Sequence, residues 1–521
     1  MKVSIQEWVE KYWKLIVIIL GGTVLIMRLL DESRLMWIFP FDFTNDLSAY
    51  MAQLHFLKVC GFHGYCPYWY NGFIHLLITS PGWYFFAYPL YMLFGDVKIA
   101  TYVSMVALFS IAGLVSLYVG KKISITKVSS IALFILFFAN ASVIGNVIRN
   151  GRQHVMLSLI LLALLFSVIW HFKEKKLNAF FFLTSVVYGA MLITHYQETV
   201  LAALLFACLF LYKKEIKERA MIAGSFILSF MLTSWWVTGF LKNLRASSLL
   251  TFYEGKRVFE FTKETVLTNI IAFIIPILLI VLIYFYLKRD ETPKREKMFF
   301  IPIAAFALLY TLRITTILPV LRNISQDPYM MFFLFFIVII FFKEERWIMQ
   351  GVRRKIIPWC VIMMIILSGV VSMAYTPWFV KNTPLEERII GMYSAVKDRF
   401  IIVGPLNTTE YRTLYSKPLY AYASIYHNLS TSDGWSPPLA SSEYLARLNT
   451  FGKQSDTLGC EEFSEELLFF NTANVISIEP QCSKFKQCGF HEIKKNEEVC
   501  LYEIDKFNVS AHEKQVSRPD V

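Results

Sequence analysis

Residues 41–98 read FDFTNDLSAYMAQLHFLKVCGFHGYCPYWYNGFIHLLITSPGWYFFAYPLYMLFGDVK and lie between two long apolar segments. Asp46 follows the first of these segments directly. The residues after it recur at the spacing of one helix face: Leu47, Tyr50, Met51, Leu54 and Leu57. This spacing predicts an amphipathic helix along the membrane surface, with Asp46 in its first turn. An acid is therefore expected where lipid meets water.

The composition around this stretch is that of a membrane protein. Hydrophobic residues make up 56% of the 521 residues and charged residues 17%, and apolar runs long enough to cross a bilayer recur through residues 1–375. The pattern predicts a polytopic α-helical membrane protein with about 11 transmembrane helices. The expected spans are 15–30, 99–119, 128–147, 154–171, 177–193, 197–212, 220–238, 265–287, 298–318, 328–342 and 356–375.

The orientation depends on residues 80–94, which contain Pro81, Gly82 and Pro89. Because a spanning helix needs roughly 20 residues, we expect this segment to be juxtamembrane, within a first external loop of residues 31–98. The N-terminus is then cytoplasmic. Five basic clusters fall on the same side, as the positive-inside rule requires: 121–127, 173–176, 213–219, 288–297 and 343–355. The net charge of +12 therefore indicates topology in a cell membrane, and no nucleic-acid partner is expected.

The cysteines support the same orientation. Cys208 and Cys360 lie in predicted spans, whereas the other six lie outside: Cys60, Cys66, Cys460, Cys482, Cys488 and Cys500. An even number of external cysteines can form disulfides in an oxidising exterior, and Cys60 with Cys66 is the most local candidate pair. Glycosylation sequons that begin at Asn323, Asn407, Asn428 and Asn508 also fall outside.

A second domain begins where the hydropathy falls, near residue 376. Residues 376–510 are expected to form an extracytoplasmic α+β domain, and the polar residues 511–521 a tail. We predict strands at 400–403, 474–478, 491–495 and 499–504, and helices at 441–448 and 461–470.

Asp46 is the leading candidate for chemistry. An acid in the first turn of a helix is favourable with the helix dipole, and this is its ordinary structural role. At the outer membrane surface, however, a carboxylate can also accept the proton of an attacking hydroxyl group. Asp42 is the candidate second acid, or a capping residue.

A set of cations on the predicted outer side could bind a phosphate: Arg149, Arg152, His195, Arg313 and Arg322. Arginine pairs with phosphate oxygens through two parallel hydrogen bonds. Singly, the loop cations are equally explained as solvated side chains or contacts with lipid head groups, and His195 as a structural hydrogen bond. Arg313, predicted inside the outer end of a span, either faces a cavity or snorkels to the surface.

The first loop is rich in aromatic residues. Trp69, Tyr70 and Trp83 are either part of an aromatic belt at the membrane interface or stacking surfaces for a sugar or acceptor. The sequence contains no cluster of His, Cys, Asp and Glu with metal-ligand spacing and no phosphate-binding loop. No metal site is assigned, and no cofactor is expected to be required.

These features together resemble the GT-C superfamily of membrane glycosyltransferases. The resemblance rests on an Asp after the first span, a helix, CPYWYNG at 66–72 and SPGWYFFAYPLYMLFGD at 80–96. It covers roughly residues 1–153 and is architectural beyond them. Members, which include protein mannosyltransferases, aminoarabinose transferases and the catalytic subunit of oligosaccharyltransferase, use polyprenyl-phosphate-linked sugars.

The resemblance implies a function and assigns Asp46 to the catalytic acid of the family's first loop. A polyprenyl (dolichyl) phosphate sugar would donate its sugar with inversion to a lipid, glycan or protein acceptor. Many members carry acidic residues in the second external loop, but none lies between Gly145 and His154 here, so a transfer independent of divalent metal is favoured. The external sequons and the C-terminal domain favour an archaeal or bacterial origin.

Two other classes of protein fit the same spans. A flippase or transporter for a lipid-linked or anionic solute would place ionisable groups deep in its spans and repeat its halves. A non-catalytic scaffold with an external binding domain would not require Asp46.

Overall fold

A computed structural model describes residues 5–41, 46–244, 266–288, 294–322, 324–350, 352–374, 376, 378–379, 382–404, 417–434, 439–455 and 457–504. A helical membrane domain comes first. Its helices are α1 Ile5–Glu32, α2 Asp46–Val59, α3 Gly82–Phe94, α4 Val97–Lys122, α5 Lys127–Phe138, α6 Ala141–Ile144, α7 Gln153–Phe172, α8 Leu183–Thr194, α9 Tyr196–Tyr212, α10 Ile216–Leu232, α11 Ser234–Leu244, α12 Val266–Lys288, α13 Lys294–Thr311, α14 Pro319–Arg322, α15 Gln326–Lys343, α16 Glu345–Ile348 and α17 Arg353–Ala374.

The described helices are those of a multi-pass membrane protein. Six are long and apolar enough to cross a bilayer, namely those within Ile5–Met36, Val97–Lys122, Gln153–Phe172, Ile270–Lys288, Gln326–Lys343 and Arg353–Ala374. Two further pairs are bent, by 53° between α5 and α6 and by 73° between α10 and α11, and three shorter apolar helices lie at Ala179–Thr194, Tyr196–Tyr212 and Met298–Thr311. Each predicted span overlaps one of these elements. The count of 11 stays a prediction, because only the six are individually long enough.

Helix α2 begins at Asp46 as predicted, but its surroundings differ from the prediction. Eleven of its 14 residues are buried, and they lie on all sides of the helix. Its neighbours are α3, α4 and the C-terminal domain helix α19, Lys417–Tyr426. The expectation of an amphipathic helix is therefore wrong, because α19 of the C-terminal domain packs on α2 in addition to α3 and α4. Its position along the membrane surface stays a prediction.

The C-terminal domain is α+β, as predicted. Its strands are β3 Phe400–Val403, β4 Asn474–Ile478, β5 His491–Asn496 and β6 Val499–Glu503, after a first-loop hairpin of β1 Tyr65–Cys66 and β2 Phe73–Ile74. The four strands of the C-terminal domain form one sheet in the order β3-β4-β6-β5, with β3 parallel to β4 and the other pairs antiparallel. The helices are α18 Pro384–Ile390, α19, α20 Ser442–Gln454, α21 Cys460–Phe469 and α22 Gln481–Gln487.

The six cysteines that were predicted to lie outside form three disulfides. Cys60, which precedes the first-loop hairpin, bonds to Cys66 in strand β1 of that hairpin. In the C-terminal domain, Cys460 bonds to Cys488 and Cys482 to Cys500. A disulfide limits the conformations of the unfolded chain, so each one stabilises the loop that it closes.

One buried arginine joins the C-terminal domain to the first loop. Arg399 is 7% exposed, and its guanidinium donates to the carbonyl oxygens of Thr431 and Pro67, each at 3.0 Å. Burial lowers the pKa of Arg399. The Thr431 amide also donates to the Tyr68 carbonyl at 2.6 Å. The domain is thereby fixed against the segment that follows α2.

We expect Arg399→Met to lower the free energy of unfolding by about 1.5–3 kcal/mol, because hydrogen bonds from a charged group to two carbonyl oxygens are lost. Denaturant unfolding in detergent measures this. The control is Arg447→Met, since Arg447 makes a half-exposed pair with Glu466 at 2.8 Å, and pairs of that kind contribute about 0–1 kcal/mol. Equal stabilities of the two variants would contradict the assignment.

Candidate active site

A carboxylate and a guanidinium group from two different loops meet at the start of α2. Asp46 Oδ2 accepts a hydrogen bond from Arg152 Nε at 2.6 Å. Asp46 is 9% exposed, whereas the Arg152 side chain is 40% exposed. Asp46 is the first residue of its helix, and Arg152 directly precedes α7. The pair therefore joins the first loop to the second.

The turn that carries Arg152 can approach α2 because of one glycine. Gly151 has a φ of +65°, and a Cβ atom added to it would lie 2.6 Å from Leu47 Cα. Only glycine adopts this conformation and this approach without strain. A π-helical turn, Gly145–Arg149, leads into it, and the Arg152 amide donates to the Asn146 carbonyl at 3.0 Å. The local backbone thus holds Arg152 against Asp46.

The charges around Arg152 stabilise its cationic form. Burial acts to lower the pKa of Arg152. The charge of Asp46, the electrostatic interaction with Tyr50 and the hydrogen bond to Asp46 act in the opposite direction and outweigh burial, so the pKa of Arg152 is raised. Asp327, in the first turn of α15, contributes in the same direction. Arg152 is therefore a cation at neutral pH.

Three rings extend the site from α2 to the junction of α8 and α9. Tyr50, one turn after Asp46, has its ring centroid 5.0 Å from that of His154. The His154 ring is in turn 4.8 Å from the ring of His195. The His195 Nδ1 atom contacts a carboxylate oxygen of Glu198, which is 3% exposed. Side chains from α2, α7 and α9 therefore converge in one place.

The contact with Glu198 decides what His195 can do. Burial lowers the pKa of His195, and the charge of Arg152 lowers it further, so the imidazole is neutral at neutral pH. In the tautomer that donates from Nδ1 to Glu198, the Nε2 atom of His195 is an acceptor. In this form His195 can receive a proton through Nε2.

The three aromatic residues assigned to sugar stacking do not offer a free ring face. Trp69 is 0% exposed, Tyr70 2% and Trp83 1%. Trp83 donates to the Gln153 side chain at 2.9 Å, and Tyr70 packs edge-on to Tyr444. The first loop packs against the C-terminal domain, so these rings have no exposed face, and their assignment to an aromatic belt or to sugar stacking stays a prediction.

The remaining predicted cations have different outcomes. Helix α13 ends at Thr311, so Arg313 lies beyond the helix rather than inside a span, and it is exposed beside the Phe273 ring at 5.8 Å. Arg322 ends α14 and is also exposed. The side chain of Arg149 and the whole of Asp42 lie outside the described residues.

Several side chains at the site were not predicted as site residues: Tyr50, Tyr84, Glu198 and Asp327. Tyr50 carried a signal, because it lies four residues after Asp46 on the same helix and therefore on the same face. Tyr84 and Asp327 carried none, since their positions depend on tertiary packing.

Possible metal ligands come together in the described ranges away from Asp46. The one group there with suitable spacing is Glu479, Cys482 and Cys500, in the C-terminal domain. Its two cysteines form a disulfide, so they offer no thiolate to an ion.

No family model and no curated protein matches the sequence. Solved structures do. The arabinofuranosyltransferase AftD from Mycobacteria matches with a TM-score of 0.58 and 12% identity over 93% of this chain. The oligosaccharyltransferase of Archaeoglobus fulgidus tethered to an acceptor peptide with the NVT sequon matches with a TM-score of 0.54 and 10% identity over 90% of this chain. The archaeal oligosaccharyltransferase AglB from Archaeoglobus fulgidus, in complex with an inhibitory peptide and a dolichol-phosphate, matches with a TM-score of 0.52 and 9% identity over 92% of this chain. This chain spans 40% of the AftD chain and 70% and 71% of the other two.

Proposed function

We propose that this chain, whose fold is that of the GT-C-like membrane glycosyltransferases, transfers a sugar from a polyprenyl-phosphate donor to an acceptor, with Asp46 as the general base. The observation that carries the proposal is the carboxylate–guanidinium pair between Asp46 and Arg152. It lies where the first loop, the second loop and the α8–α9 junction meet in this fold.

In the proposed reaction, Asp46 takes the proton of an acceptor group that attacks the anomeric carbon with inversion. The hydrogen bond from Arg152 Nε to Asp46 Oδ2 orients the carboxylate, and the positive charge of Arg152 favours its ionised form. A guanidinium thus provides the positive charge beside Asp46, which favours a reaction that needs no divalent metal.

The leaving group of the proposed reaction is a lipid phosphate, whose negative charge requires cations. Arg152 has five N–H donors and bonds Asp46 through Nε, so it can contact both the base and a phosphate. Arg149, Arg313 and Arg322 remain candidates for the rest of the phosphate site. His195 joins them only when it is protonated. The dolichol-phosphate in the AglB structure supports this class of donor.

We also propose that the site lies on the extracytoplasmic side of the membrane. The basic clusters meet at one end of the helices: Glu296 pairs with Lys343 at 2.7 Å and with Lys173 at 3.3 Å, and Lys213 pairs with Glu218 at 2.9 Å. Asp46 lies at the other end of the bundle, next to the C-terminal domain. The positive-inside rule then makes the N-terminus cytoplasmic and the C-terminal domain extracytoplasmic in the cell membrane. Fold relatives from Mycobacteria and Archaeoglobus support a bacterial or archaeal origin.

The acceptor of the proposed reaction is a lipid, a glycan or a protein. A flippase or transporter and a non-catalytic scaffold are the alternatives that the experiment must separate from the transferase.

The test incubates purified full-length protein in detergent with a panel of labelled polyprenyl-phosphate sugars and with a lipid, a glycan or a peptide as the acceptor, and the products are analysed by mass spectrometry. We expect free polyprenyl phosphate and a glycosylated product in equal amounts, with EDTA present or absent. Heat-inactivated protein is the control. Translocation of an intact lipid-linked sugar in vesicles, without release of lipid phosphate, would instead indicate a flippase. Neither release nor translocation for any donor would indicate a scaffold.

A further inference from the structure

Tyr84, in the first turn of α3, has a buried hydroxyl group that the described structure leaves unsatisfied. The residue is 2% exposed, and its hydroxyl oxygen has no hydrogen-bond partner among the described residues. A buried polar group without a hydrogen-bond partner destabilises the folded protein. Phenylalanine would fill the same space without this cost, so the hydroxyl group requires an explanation.

The position of Tyr84 is beside the proposed base. Its ring centroid lies 6.4 Å from that of Tyr50, and Tyr50 is one helical turn from Asp46 on the same face of α2. Burial raises the pKa of Tyr84, and the negative charge of Asp46 raises it further. The phenol is therefore neutral, and it can donate a hydrogen bond next to the carboxylate.

The first turn of α3 holds Tyr84 rigidly. A Cβ atom on Gly82 would lie 2.8 Å from Thr194 Cα, so α3 packs directly on the residue before His195. The neighbouring Trp83 donates to Gln153, the residue after Arg152, at 2.9 Å. The Trp83 donor is satisfied by the protein, whereas the Tyr84 donor in the same turn is not.

We propose that the Tyr84 hydroxyl and the Asp46 carboxylate together bind the attacking group of the acceptor, and that this group is an alcohol. An alcohol donates one hydrogen bond and accepts through two lone pairs. It can therefore donate to Asp46, accept from Tyr84, and keep one lone pair for attack. The nitrogen of a carboxamide only donates, so the attacking atom of an amide cannot itself accept the hydrogen bond from Tyr84.

The step balances with these groups. The acceptor oxygen forms a bond to the anomeric carbon, its proton passes to Asp46, and the bond from that carbon to the phosphate oxygen breaks with its electron pair on the phosphate. Tyr84 keeps its own proton, and its hydrogen bond passes from the alcohol to the new glycosidic oxygen. The inference rests on the proposed function and narrows its acceptor to hydroxyl compounds such as sugars.

The experiment compares two acceptors with the donor that wild-type protein uses: octyl glucoside for the hydroxyl and a peptide with an Asn-Val-Thr sequon for the amide. We expect transfer to the glucoside and at least 100-fold less modification of the peptide asparagine. Tyr84→Phe should lower kcat/KM for the glucoside 10- to 100-fold, with an unchanged or raised Tm, because no protein hydrogen bond is lost.

Tyr91→Phe is the matched control on the same helix. Its hydroxyl bonds to His55 Nδ1 at 2.9 Å, so we expect this variant to lower the Tm and to keep the wild-type kcat/KM. Wild-type kinetics in Tyr84→Phe would overturn the inference while leaving the proposed function intact, and so would preferential transfer to the asparagine. Absence of lipid-phosphate release by the wild-type protein would overturn both.

Discussion

Asp46→Asn is expected to lower the rate of sugar transfer about 10²–10⁴-fold, the usual contribution of a general base. Asparagine has nearly the same size as aspartate but cannot take the acceptor proton. It also leaves the charge of Arg152 without its partner. Because the Arg152 side chain is 40% exposed, the change in stability should be about 1 kcal/mol or less. Initial rates of lipid-phosphate release and thermal unfolding measure the two effects separately.

The control for this variant is Asp96→Asn. Asp96 is also an acid at a helix start, where its side chain accepts from the Lys98 amide at 2.7 Å. It precedes α4 and plays no part in the proposed reaction, so its loss should affect stability alone. If Asp46→Asn turned over at the wild-type rate, Asp46 would be a helix-terminal acid without a catalytic role.

Gly151→Val is expected to have the second largest effect. A valine at a φ of +65° is strained by about 1–3 kcal/mol, and its side chain would collide with Leu47 on α2. The turn must then move away and take Arg152 with it. Because a displacement of about 1 Å can cost 10²-fold in rate, we expect at least that loss of transfer together with a lower Tm.

Gly145→Ala, in the same turn, separates this effect from a general sensitivity to substitution. Gly145 has helical dihedral angles, φ −60° and ψ −46°, and a Cβ atom there would meet nothing within 4 Å. Alanine should therefore be tolerated, and it should stabilise the turn by about 0.5–1 kcal/mol. A Gly151→Val protein as active as Gly145→Ala would show that contact between the turn and α2 is not needed.

Local features of the fold could be predicted from the sequence. Helix α2 begins at Asp46 as expected, and strands β3 and β4 lie where runs of β-branched residues placed them. These elements are specified by a few consecutive residues, so short-range pattern is enough. The end of α13 was misplaced because apolar residues continue past Thr311, and hydropathy alone does not mark where the helix stops.

The surroundings of those elements could not be predicted in the same way. The side chains of α2 look amphipathic in isolation, yet the helix is buried on all sides because residues 417–426, far along the chain, pack against it. The same distant packing buries Trp69 and Tyr70. A tryptophan and a tyrosine are equally compatible with an aromatic belt at the membrane interface, a stacking surface for a sugar and a packed protein core.

The site was predicted in part. Asp46 and Arg152 were both selected by charge and loop position, but their direct pairing depends on a glycine turn whose conformation the sequence does not reveal. Tyr84 looked like any other aromatic residue of the loop. Its importance rests on a hydroxyl group that no described side chain satisfies, and only three-dimensional structure exposes that.

The burial of α2 beneath α19 has a practical consequence for anyone who trims the protein. A shortened chain that stops at residue 375 would keep Asp46 and most of the bundle, but it would uncover the side of α2 that α19 now shields. Such a fragment should aggregate or misplace its acid. We therefore expect the membrane domain to need the C-terminal domain to hold Asp46 in place, and expression of the two parts as separate chains tests whether the C-terminal domain restores that position.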